Sequence, residues 1–183
     1  MKRRIIIRLA AFVFIGLLVS SHSWAQGDKS TRPSPPATAK GKIKDANITI
    51  DYSSPSVKGR TIWGSLVPYN KIWRAGANEA TIFTTDKDVM VEGKKLPAGK
   101  YSLFMTPGEK EWTVIFNSQT GQWGIKNSGD ANLDPAKNVL EVKVKPKTEK
   151  EVQEKLTYTI EDKMMDKGFS MTWDKVKVFV SVK

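Results

Sequence analysis

The chain contains no cysteine and only one histidine, His22, among its 183 residues. Without thiols it cannot form disulfides, so its stability must come from the packed core. If His22 leaves with an N-terminal leader, Ser-His-Asp and Cys-His catalysis are excluded. Zinc, copper and haem sites built on imidazole or thiolate are excluded with them. We therefore expect no cofactor and lean against an enzyme, because any catalysis must use carboxylate, Lys, Arg, Tyr, Ser or Thr side chains.

Long hydrophobic segments are also scarce. The apolar run "LAAFVFIGLLV", residues 9–19, follows the basic start "MKRR" and is too short to span a bilayer comfortably. Ser23 and Ala25 fit the small-residue cleavage pattern, so we predict a signal peptide over residues 1–25, cut between Ala25 and Gln26. An uncleaved membrane anchor is the alternative, and no cysteine follows the run to carry a lipid. We expect a periplasmic or secreted protein, with no transmembrane helix after cleavage.

Acidic residues are outnumbered: 19 Asp and Glu face 30 Lys and Arg, for a formal net charge of +11. Loss of Lys2, Arg3, Arg4 and Arg8 with the signal peptide would lower this charge to +7. In an exported protein such a balance indicates anionic envelope components rather than nucleic acid. Most lysines alternate with apolar residues, which is typical of the solvent-exposed face of a sheet. We expect no nucleic-acid partner.

Large apolar residues are almost missing from "QGDKSTRPSPPATAKG", residues 26–41. Such a composition cannot bury enough surface to offset its ordering entropy, so we predict a flexible spacer. Residues 42–183 have the length of one domain.

Alternation of apolar and polar residues dominates this domain. In "ANITIDYS", Ile48 and Ile50 alternate with polar neighbours, and "LEVKVK" and "VKVFVSV" repeat the pattern. Turn sequences flank "KYSLFM" and "EWTVIFN", so residues 101–117 are predicted to form a hairpin. Many short strands with Gly and Pro turns favour an all-β fold, an antiparallel β-sandwich of jelly-roll or Ig-like type.

Three further local predictions concern turns and a helix. "VEGKKL" around Gly93 indicates a tight turn, and "WDK", residues 173–175, suggests a connection between the last two strands. "TEKEVQEK", residues 148–155, resembles a short helix because Thr148 and Glu151 fit a capping box. We expect at most this one short helix.

Four motifs resemble a known family. They are "SPSVKGR", "VPYNKIWRAGANEAT", "LPAGKYSLF" and "EWTVIFN", and the resemblance extends over about residues 48–183. The chain is similar to the domain of unknown function 2911 family, exported proteins found chiefly in Gram-negative bacteria. The resemblance implies export, a β-rich fold and a shared "WRAGANEAT" segment. It implies no catalytic residue, because no activity is assigned to the family.

The polar segment "RAGANEAT", residues 74–81, is the main candidate site. In a purely structural interpretation, Gly76 supplies a positive φ, Arg74 pairs with Glu79 across the turn, and Asn78 bonds to the backbone. A functional interpretation keeps Arg74 and Glu79 open at a cleft. The guanidinium would then bind a carboxylate, phosphate or sulfate, and Glu79 would bind sugar hydroxyls or act as a base with a raised pKa.

Arg60, Tyr69 and Trp123 are the predicted neighbours of that site. Arg60 in "VKGRTIW" and Tyr69 in "VPYNK" belong to nearby motifs, and Trp123 lies between glycines in "TGQWGIK". We predict that Trp123 is exposed and able to stack on a sugar, whereas Trp112 and Trp173 lie in strand patterns and belong to the core.

One acidic segment resembles a calcium loop. "DANLDPAKNVLE" places Asp130, Asn132 and Asp134 at loop positions 1, 3 and 5 and Glu141 at position 12. Pro135 occupies position 6, where the sharp turn requires glycine, and a strand pattern follows. The segment is therefore a weak metal candidate, and we expect no metal.

Three functions stay open. The preferred hypothesis is a non-catalytic envelope module of unknown function that binds a glycan or an anionic group at Arg74, Asn78 and Glu79. The second is a structural or protein-interaction domain without a ligand. The third is a glycan-active enzyme with Glu79 as one carboxylate, which would need a second acid across the bound sugar.

Overall fold

The computed structural model describes residues 28–164 and 166–183 and shows an all-β, antiparallel, sandwich-like fold. The predicted signal peptide, residues 1–25, lies outside the described residues. In chain order the strands are β1 (Pro36–Ile43), β2 (Ala46–Ser53), β3 (Thr81–Thr85), β4 (Val89–Val91), β5 (Lys94–Leu96), β6 (Gly99–Thr106), β7 (Trp112–Asn117), β8 (Asn138–Val144), β9 (Lys147–Asp162) and β10 (Lys167–Ser181). One-turn 3-10 helices occupy Lys29–Thr31 and Pro135–Lys137. Within these ranges no helix has the length and hydropathy needed to cross a membrane.

Two layers enclose the core. Six strands form one sheet in the order β1-β2-β3-β6-β7-β8, and the long strands β9 and β10 form a two-stranded ribbon that packs against it. Phe83 of the sheet contacts Phe116 of the sheet at 5.2 Å and Phe169 of the ribbon at 5.6 Å between ring centroids. Most of the apolar residues that alternate along the strands therefore meet in one core, as predicted for a sandwich. A second, smaller cluster contains Ala80, Phe104, Ile115 and Leu133.

The predicted hairpin over residues 101–117 and the predicted tight turn around Gly93 are confirmed. β6 and β7 pair antiparallel from Ser102↔Asn117 to Thr106↔Thr113, and β4 and β5 form a hairpin whose turn contains Glu92 and Gly93. Trp112 and Trp173 are each 1% exposed, as expected for core residues.

The expectation of a flexible spacer over residues 26–41 is wrong for the part that forms β1. Residues 36–43 pair with β2 along their whole length, from Pro36↔Ser53 to Ile43↔Ala46. The backbone supplies the hydrogen bonds, so the scarcity of apolar side chains does not prevent the strand. Gly41 also packs closely on the ribbon, since a Cβ there would lie 2.7 Å from the Ile160 side chain.

Two other local predictions are wrong. Residues 148–155 belong to strand β9 rather than to a helix, because pairing with β10 overrides the local helical preference. Residues 173–175 do not connect two strands, because β10 runs through them. The turn-like sequence instead marks an irregularity, with a φ of 53° at Asp174 and a register shift on either side of it.

Candidate functional site

The polar segment, residues 74–81, joins Trp73 to the start of β3. Trp73 exchanges backbone hydrogen bonds of 2.7 and 2.8 Å with Met105, which fixes the entry of the segment. Inside it, the Ala75 carbonyl accepts hydrogen bonds from Thr81 Oγ1 at 2.9 Å and from the buried Tyr158 hydroxyl at 2.8 Å. The segment is therefore a rigid loop supported by both layers of the fold.

The conformation of this loop differs from the predicted one. Ala75 and Asn78 adopt positive φ, 55° and 57°, whereas Gly76 does not. Gly76 is required instead by close approach: a Cβ there would lie 2.8 Å from Thr81 Oγ1 and 3.2 Å from the Ser53 carbonyl oxygen. The prediction assigned the glycine to the wrong physical cause.

Glu79 binds the N-terminal segment, residues 28–35, and the expected Arg74–Glu79 pair is not formed. Its carboxylate lies 3.0 Å from Lys29 Nζ and 2.9 Å from Arg32 Nη1. Lys29 and Arg32 reach the same carboxylate because a 3-10 turn brings residues i and i+3 to one side. Asn78 supports the same contact by donating from Nδ2 to the Ser34 carbonyl at 2.8 Å.

The electrostatics of Glu79 oppose a role as general base. Burial by itself would raise its pKa, but a backbone hydrogen bond and the contacts with Lys29 and Arg32 lower the pKa to about 2. The carboxylate is therefore ionised and held by two cations at neutral pH. The raised pKa that a general base would need is not found, because Lys29 and Arg32 of the N-terminal segment lower the pKa instead.

Arg74 contacts Trp123 instead of pairing with Glu79. Its Nη1 donates to the Trp123 carbonyl at 3.3 Å, and its guanidinium carbon is 5.8 Å from the centroid of the Trp123 ring. Burial lowers the pKa of Arg74 and the nearby Glu79 charge opposes that shift. The guanidinium stays charged at neutral pH, since an arginine pKa lies far above 7.

Trp123 is 47% exposed, in line with the prediction, yet its ring is already in use. The Arg32 guanidinium carbon lies 5.9 Å from the ring centroid and that of Arg74 lies at 5.8 Å. Both distances are within the range of cation–π attraction. The two guanidinium groups reduce the area of ring available for stacking on a sugar.

A cleft of about 890 Å³ opens beside Arg74, and we call it the Arg74 cleft. Its lining consists of Ser34, Pro55, Arg60, residues 66–68, residues 70–74, Gly76, Ala77, Ile125, Lys126, residues 128–131, Leu133, Pro135 and Trp173. Loops at one end of the sandwich supply most of these residues. This placement is common for binding sites, because loops can vary on a rigid scaffold.

Positive charge predominates in this lining. The cations are Arg60, Lys71, Arg74 and Lys126, and the single acid is Asp130. Arg60 is oriented by the backbone: its Nε donates to the Val57 carbonyl at 3.1 Å and its Nη2 donates to the Ser56 carbonyl. The remaining guanidinium donors of Arg60 and Arg74 suit the planar oxygens of a carboxylate, phosphate or sulfate.

Beneath the cleft, four tryptophans form one cluster. Trp73 and Trp173 line the cleft and stack at 6.0 Å between ring centroids with an interplanar angle of 17°. Trp63 contacts Trp73, Trp112 and Trp173 edge-on, at 5.8, 4.8 and 5.7 Å. This rigid aromatic base fixes the position of Trp73 and, through it, the start of the polar segment.

The sequence-predicted site residues separate into two groups. Arg60 and Arg74 both line the cleft, whereas Asn78, Glu79, Tyr69 and Trp123 are outside its lining. Tyr69 packs against Gly64, where a Cβ would lie 3.0 Å from the ring. Lys71 and Lys126 were missed. No local pattern distinguishes either residue from other surface lysines, and only the fold brings them together.

The weak calcium candidates are engaged elsewhere. Asp130 Oδ2 accepts from Ser128 Oγ at 2.9 Å, and Asp134 Oδ1 accepts from the Ala136 amide at 3.0 Å at the start of the second 3-10 helix. Glu141 lies in β8 and accepts from Asn138 Nδ2 at 2.6 Å. Asn132 donates its backbone amide to the Gly124 carbonyl at 2.9 Å. Among the described residues, no three acidic side chains gather as a metal site requires.

Fold and site together define an all-β sandwich protein with a cationic, tryptophan-based cleft at one end. The model of a family of proteins of unknown function, DUF2911, matches residues 34–182, and the chain belongs to this family. The matched range includes all of β1, which agrees with the pairing of this strand with β2. Neither the curated proteins nor the solved structures include a significant match.

Proposed function

We propose that this protein is an exported, non-catalytic module that binds an anionic group in the Arg74 cleft. The observation that carries the proposal is the charge of the lining, which contains four cations and only one acid, Asp130. Like charges gathered in a cleft repel one another unless an anion neutralises them. Two of the cations are arginines, which bind oxyanions with a fixed, planar set of donors.

Export is part of this proposal and rests on the sequence. The basic start, the short apolar run and the small residues before Gln26 form the pattern of a cleaved signal. A periplasmic or secreted location would expose the cleft to anionic components of the envelope.

The non-catalytic part of the proposal is supported by the state of Glu79. Its pKa of about 2 and its contacts with Lys29 and Arg32 leave it without the proton affinity of a general acid or base. A carboxylate-dependent enzyme would need an acid with a raised pKa opposite a second carboxylate.

A purely structural or protein-interaction role is the second candidate, and one observation favours it. Glu79, Asn78 and Trp123 fasten the N-terminal segment through Lys29, Arg32 and Ser34. Asn78 and Glu79 of the polar segment therefore have structural contacts that explain their presence without a ligand.

Titration of the purified protein with sodium sulfate, at ionic strength held constant with chloride, tests the proposal. In NMR spectra, the amides of Arg74 and Lys126 and the indole N–H groups of Trp73 and Trp173 should shift. The double variant Arg60→Gln/Arg74→Gln should lose these shifts, and Lys145→Gln, at an exposed lysine outside the cleft, should keep them. Absence of sulfate-specific shifts, or their persistence in the double variant, would leave the structural role.

A further inference from the structure

The Arg74 cleft is apolar as well as cationic. More than half of its lining residues are apolar, including Leu66, Ile72, Trp73, Leu133 and Trp173. Leu66 and Ile72 are 46% and 39% exposed, and they are among the few large apolar side chains of the described residues that face solvent to this extent. Exposed apolar residues scattered singly need no explanation, but two at the edge of one cleft indicate a ligand with an apolar part.

The size of the cleft also indicates a ligand with an apolar part. Its volume of about 890 Å³ falls within the range of roughly 300–1,000 Å³ that is typical of pockets for organic molecules. A sulfate or phosphate ion would occupy a small fraction of it and would leave the apolar lining in contact with water. Electrostatic attraction alone therefore does not account for the shape of the site.

The aromatic base also has unused hydrogen-bonding capacity. The buried Nε1 atoms of Trp63 and Trp173 have no hydrogen-bond partner among the described residues. An unpaired buried donor is destabilising, so such groups are uncommon in a native core. Trp173 lines the cleft but is only 1% exposed, so it forms the aromatic base of the cleft rather than a donor to the ligand.

We infer that the ligand is an amphipathic organic anion: one carboxylate, sulfonate or phosphate head bound by Arg60 and Arg74, joined to an apolar body that covers Trp73 between Leu66 and Ile72. This inference rests on the proposed function and narrows it from any anion to one chemical class. The lysines Lys71 and Lys126 complete the neutralisation of the head. A neutral glycan does not fit, because it would leave the four cations without a counter-charge.

Two dyes that share one body and differ in one charge provide the test. The sulfonate is 8-anilinonaphthalene-1-sulfonate, and N-phenyl-1-naphthylamine is the same molecule without the sulfonate group. By fluorescence titration we expect the sulfonate dye to bind at least about tenfold more tightly than either the uncharged dye or inorganic sulfate, since one charge-assisted contact is worth a factor of this order. Near-UV circular dichroism of each sample verifies that the protein is folded.

Variants separate the two parts of the site. The double variant Arg60→Gln/Arg74→Gln should lower the affinity for the sulfonate dye about tenfold and leave the affinity for the uncharged dye unchanged. The double variant Leu66→Ser/Ile72→Ser should lower the affinity for both dyes and leave the affinity for sulfate unchanged. Val139→Ser removes an apolar residue that is similarly exposed, 43%, but lies outside the cleft, so it should change none of these affinities.

The possible outcomes distinguish this inference from the proposed function. If sulfate binds as tightly as the sulfonate dye, the cleft binds anions without regard to their body, so the inference is wrong and the proposed function stands. If neither sulfate nor the sulfonate dye binds, both are wrong. Equal binding of the two dyes, unaffected by the arginine variants, would contradict the inference, and the sulfate titration would then decide the proposed function by itself.

Competition then identifies the source of the anion. Displacement of the sulfonate dye by decanoate but not by phosphatidylglycerol vesicles would assign a free organic acid. Displacement by the anionic vesicles and not by phosphatidylcholine vesicles would assign a membrane lipid. Either result supports an amphipathic anion, and failure of both competitors and of related alkyl sulfates and phosphates would overturn it.

Discussion

Arg74 and Glu79 lie five positions apart in one loop, yet Glu79 forms ion pairs and Arg74 does not. Glu79 is held by Lys29 and Arg32 at 3.0 and 2.9 Å. Among the described residues no carboxylate lies within ion-pair distance of Arg74, which faces the cleft and Trp123 instead. Opposite charges close in sequence therefore do not have to pair. One end of the loop fastens the N-terminal segment, and the other end presents a cation to a cleft.

The largest loss of stability is expected at Gly76, which lies in the loop between Arg74 and Glu79. Gly76→Ala would place a methyl group 2.8 Å from Thr81 Oγ1 and 3.2 Å from the Ser53 carbonyl oxygen. Overpacking of this kind costs about 1–3 kcal/mol, and we expect about 2 kcal/mol from urea unfolding. Gly93→Ala is the control, because its φ of 77° is strained for alanine but its surroundings are open. A loss at Gly76 no greater than at Gly93 would mean that the loop is not tightly packed.

A smaller loss is expected at the fastened end. Glu79→Gln removes the charge that holds Lys29 and Arg32, and its carboxylate side chain is 37% exposed. Solvent screening limits such a contact to about 1 kcal/mol in the free energy of unfolding. Arg32→Gln should cost a similar amount, and a double-mutant cycle should show that the two losses are not additive. Additive losses would show that the Glu79–Arg32 contact does not stabilise the protein.

The pH dependence of stability isolates the same contact. The folded-state pKa of Glu79 is about 2, below its ordinary value of 4.5, so the stabilisation is fully present above pH 4.5 and is lost as the pH falls towards 2. Urea unfolding of the wild type and of Glu79→Gln should therefore differ at pH 6 and converge as the pH approaches 2. A difference that is constant over this range would assign the loss to something other than the carboxylate charge.

The smallest effect on stability is expected at the cleft end. Arg74→Gln removes one of the four cations that line the cleft, and this cation has no ion-pair partner among the described residues. We expect a change in melting temperature near zero or slightly upward, because residues held for binding often cost stability. The matched comparison is Glu79→Gln, which should lower the melting temperature. A drop at Arg74 as large as at Glu79 would make the whole segment structural.

The fold was more predictable than the site. Alternation in "ANITIDYS" identified β2 because one face of that strand is buried, and the turn residues after Met105 identified the β6–β7 hairpin. The prediction for residues 148–155 was wrong because their local pattern fits a helix. The strand that pairs with them lies more than twenty positions away along the chain. The prediction of a spacer was wrong for β1, because a strand with few apolar side chains is recognisable only from the backbone of β2, with which it pairs.

Arg60 and Arg74, which both line the cleft, could be singled out from the sequence because each belongs to a conspicuous motif. Lys71 and Lys126 could not, since they are fifty-five positions apart and resemble any surface lysine. The partners of Glu79 were sought inside its own loop, whereas they lie in the N-terminal segment.

Sequence alone thus determined the β class and the burial of the core tryptophans Trp112 and Trp173. These properties depend on composition and on a period of two, which each strand carries by itself. Only the tertiary structure decided which cations neutralise Glu79 and which surround the Arg74 cleft. Those contacts join loops that are distant along the chain, and their meeting depends on sheet order and register, which no local pattern encodes.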